Sequence, residues 1–204
     1  MAEIASIFKD SPYELLSLED ARAMGLLASI PTVVEDGGSF EANAYKKATQ
    51  VMEQEGIAVL ADDSGLEIDA LGGLPGVDSA YYLGEGTPYS IRNAHIIEQM
   101  KGLEFSERGA RFRCVIVVAF PNGKILTSFG ICEGSIATEP SGAGGFGYDT
   151  IFVPDGGDKT FAQLSRAEKN VISHRAHALA GMKKQLLATD CNFPNTQEGG
   201  FKWA

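Results

Sequence analysis

The chain has 204 residues, 44% of them hydrophobic and 22% charged, enough for one domain or for two lobes sharing one sheet. A formal net charge of −10 argues against a nucleic-acid backbone as partner, and a small anionic substrate would need a local basic cluster or a metal to offset that field. No apolar run reaches membrane-spanning length, no signal-peptide pattern is seen, and Cys114, Cys132 and Cys191 lack the spacing of a zinc site or disulfide framework, which fits a reducing cytosol and no membrane partner.

Ile4, Ile7 and Phe8 recur at helical spacing and predict a helix over residues 2–9. Residues 13–18 read as a short strand, followed by a loop through residues 30–39 that carries Glu35 and Asp36. Ser39 is an N-cap candidate for a helix over residues 40–55. Asn43 and Lys47 lie four apart on one face of it, a spacing that a merely solvated polar face would also give. Residues 57–61 form an apolar run that predicts a buried parallel strand, ending at Asp62, Asp63, Ser64 and Gly65. Neighbouring residues on a strand face opposite ways, so Asp62 and Asp63 have different roles. Carboxylates at the C-terminal end of a buried strand face the crevice where open α/β sheets bind ligands. Two acids beside a hydroxyl suit Mg²⁺, a hard cation that prefers oxygen ligands. An Asx-type turn closing the strand is the alternative.

Pro88 can start a helix that carries Ile91, Ala94, Ile97 and Met100 and stops at Gly102, with His95 a surface or satisfied histidine. Residues 110–120 and 125–136 are long strands joined by the turn Pro121-Asn122-Gly123, so the sheet is mixed and this hairpin builds a second lobe. Residues 139–149 form a glycine-rich loop without the Gly-Lys-Ser/Thr of a Walker phosphate loop. Its distinctive part is Phe146-Gly147-Tyr148-Asp149, leading into a strand over residues 150–154. An edge aromatic there can stack on a base, and an Asp or backbone amide can read the base edge; equally, both aromatics can be core residues. Ser165 and Glu168 make a capping box, and Ser173 can cap a last helix over residues 175–187. Lys169, His174 and Arg175 then cluster near a helix start suited to an anion, or form a basic helix face. The tail beyond Ala188 reads as a loose extension of a domain spanning residues 1–188.

Three separated motifs resemble the inosine/xanthosine triphosphate pyrophosphatase family. They are the run from Ala61 through Tyr82, the glycine-rich Gly144 to Asp149, and Phe161-Ala162-Gln163-Leu164-Ser165 continuing through Glu168-Lys169-Asn170 to His174-Arg175. Phe40, Asn43, Ala44, Lys47 and Ala48 match a fourth, shorter pattern. The resemblance covers residues 2–188 and implies an α/β fold: a bent mixed sheet flanked by helices, two lobes, and an active-site cleft between them. It implies hydrolysis of non-standard purine nucleoside triphosphates (ITP, dITP, XTP) to the monophosphate and pyrophosphate, by a homodimer. In that reading Glu35 and Asp63 hold Mg²⁺ (or Mn²⁺), with Asp36 beside Glu35 blurring the assignment. Asp63, helped by Asp62, positions and deprotonates the attacking water. Lys47, Lys169 and Arg175 offset phosphate charge, and Ser64 lies in the same substrate-binding segment. Phe146, Gly147, Tyr148, Asp149, His174 and Arg175 hold a 6-oxo purine base.

Two departures stand out. Thr150 replaces the family's usual Pro, and the family's first strand with its T/S-x-N-x-x-K phosphate loop does not precede residue 2. Either the chain has diverged there or Met1 is an internal start. That departure keeps two alternatives open: a nucleotide-binding protein without turnover, or a metal-dependent phosphatase of another class, which would release free phosphate in place of pyrophosphate.

Overall fold

The computed structural model describes residues 2–27, 29–189 and 201–203. Helix α1 (Ala2–Phe8) buries Ile4 and Phe8, the positions the helical spacing selects. Strand β1 (Leu15–Leu16) is shorter than the predicted strand, because Ser17 leaves it to cap α2 (Leu18–Ala23) with its side chain on the Asp20 amide. Helix α3 (Phe40–Glu55) starts at the predicted cap, Ser39, and ends on left-handed Gly56.

Strand β2 runs from Val59 to Ile68, so it does not stop at the paired carboxylates. Asp, Ser and Gly are poor strand formers, which is why the sequence suggests an early end. Asp63 instead sits at the middle of a ten-residue strand.

Helix α4 (Tyr89–Gln99) corrects the predicted apolar face. Ile91 and Ala94 are exposed, and Arg92, Asn93, Ile96 and the capping Met100 are buried. Arg92 donates through its two terminal nitrogens to the carbonyls of Ser79, Ala80 and Gly84, hydrogen bonds that hydrophobic periodicity does not register.

Strands β3 (Gly109–Ala119) and β4 (Ile125–Ile136) form the predicted hairpin, closed by hydrogen bonds between Phe120 and Lys124 and between Gly123 and Phe120. Strand β5 (Phe152–Pro154) pairs antiparallel with β4. Helix α5 (Arg166–Ile172) carries the predicted Ser165–Glu168 capping box, and α6 (His174–Ala188) follows at once. The C-terminal stretch supplies β6 (Phe201–Trp203), parallel to both β1 and β2. The sheet order among the described residues is β1-β6-β2-β3-β4-β5, a mixed sheet flanked by helices.

The chain divides into two compact units. The first comprises residues 1–63, 114–130 and 176–204, and the second residues 64–113 and 131–175. Each has its own core. In the first, Ile4, Phe8 and Leu60 pack with Ile116, Phe120, Leu179 and Met182. In the second, Leu66, Ile68, Ile96 and Met100 pack with Phe112, Phe152 and Phe161.

Candidate active site

In the first unit, α3 and β2 bring a small set of charges together. Asp63 is 7% exposed. Its Oδ1 accepts a hydrogen bond from Lys47 Nζ at 2.8 Å, and its Oδ2 accepts one from Asn43 Nδ2 at 3.3 Å. Lys47 Nζ also lies 3.3 Å from Glu35 Oε2, so one ammonium bridges the two carboxylates. The i, i+4 spacing on α3 is what aims Asn43 and Lys47 at the same strand residue. Asp36 points elsewhere and pairs with Lys46, which separates it from Glu35.

The electrostatics follow from this packing. Burial pushes the Asp63 carboxyl up, Lys47 pulls it down, and the Glu35 carboxylate pushes it up again, leaving it at about 6. Burial pulls the Lys47 ammonium down, but its hydrogen bond to Asp63 and the charges of Asp63, Glu35 and Asp62 more than offset that, and the net shift is upward. Asp62 is half-buried and contributes its charge from the neighbouring position on β2.

Two hard carboxylates already gathered around one cation are a donor set that suits Mg²⁺, which characteristically takes one or two carboxylates and completes its shell with water and phosphate oxygens. Among the described residues, no group of three or more His, Cys, Asp or Glu side chains converges as a full protein cage.

In the second unit, the glycine-rich loop and α5 build a different surface. Phe146 is 64% exposed. Lys169 Nζ lies 5.3 Å and Arg175 Cζ 5.8 Å from its ring centroid. Lys169 also lies 5.1 Å from the Phe161 ring and bonds Asp149 Oδ2, which accepts the Phe146 amide at 2.8 Å as well. Gly145 makes this possible: its φ is +70°, and a Cβ there would meet the Asp149 carboxylate at 2.0 Å. Asp149 therefore fixes the loop and holds Lys169 beside Phe146.

The other residues named from the sequence have these surroundings. Tyr148 takes the core reading: it is buried, its hydroxyl donates to the Ser79 carbonyl at 2.8 Å, and its ring meets Tyr89 edge-on. Burial raises its phenol above the ordinary range. His174 is also buried and lies flat on Phe112, with ring centroids 4.7 Å apart. Ser64 follows Asp63 on β2 and is half-buried. Gly147, at φ +66°, gives its carbonyl to Asn93 Nδ2 at 3.1 Å.

Asn93 was not singled out by sequence reasoning. It sits on α4, donates to Gly147 O and to Thr150 Oγ1 at 2.9 Å, and so holds the loop from behind. Nothing in the α4 sequence distinguishes it from a surface Asn. Phe161 was visible as part of a motif, yet its contact with Lys169 needs the fold.

Comparison with known proteins finds relatives over most of the chain. The model of the Ham1 family matches residues 1–185. A dITP/XTP pyrophosphatase of Desulfotalea psychrophila is 46% identical over 183 residues, covering 90% of this chain and 78% of that protein. One from Geobacter sulfurreducens is 44% identical over 186 residues, covering 91% and 90%. The structure of a HAM1 protein from Coxiella burnetii superposes with a TM-score of 0.81 at 36% identity, over 92% of this chain and 93% of that one.

Proposed function

The chain belongs to the Ham1 family, and from that premise we propose that it hydrolyses non-standard purine nucleoside triphosphates such as dITP, ITP and XTP to the monophosphate and pyrophosphate. The observation that carries this is the convergence of Glu35, Lys47 and Asp63, with Asp63 at about 6. Glu35 and Asp63 would hold Mg²⁺ (or Mn²⁺), which when bound would neutralise phosphate charge and polarise the water and the phosphoryl oxygen. At neutral pH Asp63 is an anion only about a unit above its midpoint. It orients the attacking water at the α-phosphorus and accepts its proton at a carboxylate oxygen.

Lys47 stays cationic beside it and offsets phosphate charge as that charge redistributes in the transition state. Lys169 and Arg175 add fixed positive charge next to Phe146, whose exposed ring stacks on the base. A pocket that donates to the base O6 leaves those donors unpaired when adenine enters, which disfavours ATP.

No described helix is long and apolar enough to cross a membrane, Cys114 and Cys132 are free and buried, and the net charge is −10. These support a cytoplasmic enzyme acting on a small nucleotide, without nucleic acid. Resemblance adds a homodimer, which sedimentation at micromolar concentration tests.

The direct experiment is product release from dITP, ITP and XTP with Mg²⁺ at mildly alkaline pH, beside ATP and GTP. Pyrophosphate and the monophosphate from the first three, with ATP and GTP nearly untouched, are expected. Free phosphate as the primary product, or no turnover from folded protein, would exclude the proposed reaction.

A further inference from the structure

Asn43 is 3% exposed, on the face of α3 that faces Asp63, and both halves of its carboxamide are engaged. Its Oδ1 accepts the Gly37 amide at 2.8 Å, and its Nδ2 donates to Asp63 Oδ2 at 3.3 Å. The orientation of the amide is forced, because a flip would set oxygen against carboxylate and NH₂ against an N–H. Gly37 lies two residues after Glu35. Its own lack of a side chain is required: a Cβ there would meet Ala42 Cβ at 2.7 Å and Asn43 Oδ1 at 2.8 Å. The loop therefore rests directly on the first turn of α3, whose Ser39 cap receives the Ala42 amide at 3.1 Å.

The same helix face thus takes both oxygens of Asp63, Oδ1 through Lys47 and Oδ2 through Asn43, and fixes the plane of the carboxylate. Lys47 supplies charge to that arrangement, whereas Asn43 supplies length and direction.

We infer that Asn43 is a positioning residue: through Gly37 on one side and Asp63 on the other, it sets the spacing between Glu35 and Asp63. This rests on the proposed role of those two carboxylates. A neutral, buried, doubly bonded amide suits the task because it holds two groups in register without adding charge to a site whose charge is already tuned.

The test uses the full chain and the variants Asn43→Ala, Gly37→Ala and the double variant. It reads exchange of the Gly37 amide, Mn²⁺ affinity of metal-depleted protein by electron paramagnetic resonance, and the thermal midpoint. Asn43→Ala is expected to speed Gly37 exchange at least tenfold and to weaken Mn²⁺ at least tenfold in a folded protein. Gly37→Ala is expected to weaken Mn²⁺ similarly, and the double variant to be no worse than the poorer single, because both break one link. A folded Asn43→Ala with exchange and Mn²⁺ affinity within twofold of wild type overturns the inference. So does a double variant whose losses multiply. If Asn43→Ala does not fold, Gly37→Ala decides by the same Mn²⁺ reading. Failure of wild type to release pyrophosphate from dITP would overturn the proposed reaction and leave the exchange and Mn²⁺ contrasts intact, so the two failures are told apart.

Discussion

The two candidate clusters solve opposite problems. Around Asp63, in the first unit, charge is dense and shielded: a nearly buried carboxylate, a second carboxylate and one ammonium share a small space, and burial, not solvent, sets the balance. Around Phe146, in the second unit, an apolar ring is held out toward water and framed by cations. The first arrangement tunes protonation, which is what a reacting centre needs. The second offers a flat face and positive charge, which is what recognition of a base and its phosphates needs. Buried polar residues behind each cluster, Asn43 in one case and Asn93 in the other, keep the geometry without joining the chemistry.

The strongest test of this division is Asp63→Asn. It keeps the shape, removes the proton acceptor, and is expected to lower kcat for dITP by about a thousandfold or more, as loss of a general base together with a ligand does. The thermal midpoint of metal-free protein should hold or rise, because ionised Asp63 is an unfavourable buried charge. The sign follows from the raised value: with Asp63 at 3.8 unfolded and about 6 folded, its contribution favours the folded state below pH 4 and is lost as pH rises through 6. Thermal midpoints of wild type and Asp63→Asn at pH 5 and pH 7, in chelator, check this; a wild-type midpoint that does not fall relative to the variant would contradict it.

Lys47→Met comes next. Lys47 holds Asp63 down by hydrogen bond and charge, so its removal should move the acidic limb of kcat/KM from about pH 6 to higher pH and cut turnover at pH 7 by about a hundredfold. A pH profile of kcat/KM reads both at once. An unmoved limb would mean that Lys47 contributes charge to the phosphates alone.

How far the sequence shows this differs between the two clusters, for physical reasons. The α3 spacing of Asn43 and Lys47, the Ser39 cap and the Ser165–Glu168 capping box are local, and local patterns of this kind survive into the structure. The end of β2 is not legible in the sequence because Asp62-Asp63-Ser64-Gly65 has the composition of a turn while lying within a strand. The burial of Arg92 and Asn93 is invisible because a buried polar face carries no hydrophobic period; Arg92 bonds carbonyls of the preceding loop, and Asn93 bonds Gly147 and Thr150 far along the chain. Glu35 and Asp36 looked equivalent as neighbours, and the separate pairings with Lys47 and Lys46 distinguish them. For Phe146 and Tyr148 the pattern left site and core readings open, and the structure splits them, one exposed and one buried.

That split gives the recognition test. Phe146→Ala should raise KM for dITP by about 5- to 150-fold, the equivalent of ~1–3 kcal/mol of lost stacking, with kcat within about threefold. Stability should barely move, because a side chain 64% exposed buries little apolar area. Steady-state kinetics and a melting curve decide it; a fall in kcat with KM unchanged would place Phe146 with the reacting groups instead.

The smallest effect concerns Thr150, where the resembled family carries Pro. Its hydroxyl accepts the second hydrogen of Asn93 Nδ2, the first going to Gly147 O. Thr150→Val keeps the branched shape and removes that acceptor, leaving one donor of a buried amide unpaired. The expected cost is about 1 kcal/mol of stability, read as a small shift in denaturation midpoint at constant slope. Because the Gly147 bond remains, KM for dITP should rise no more than about threefold. A KM change as large as that of Phe146→Ala would show that Thr150, and not the Gly147 contact, fixes the loop beneath the aromatic ring.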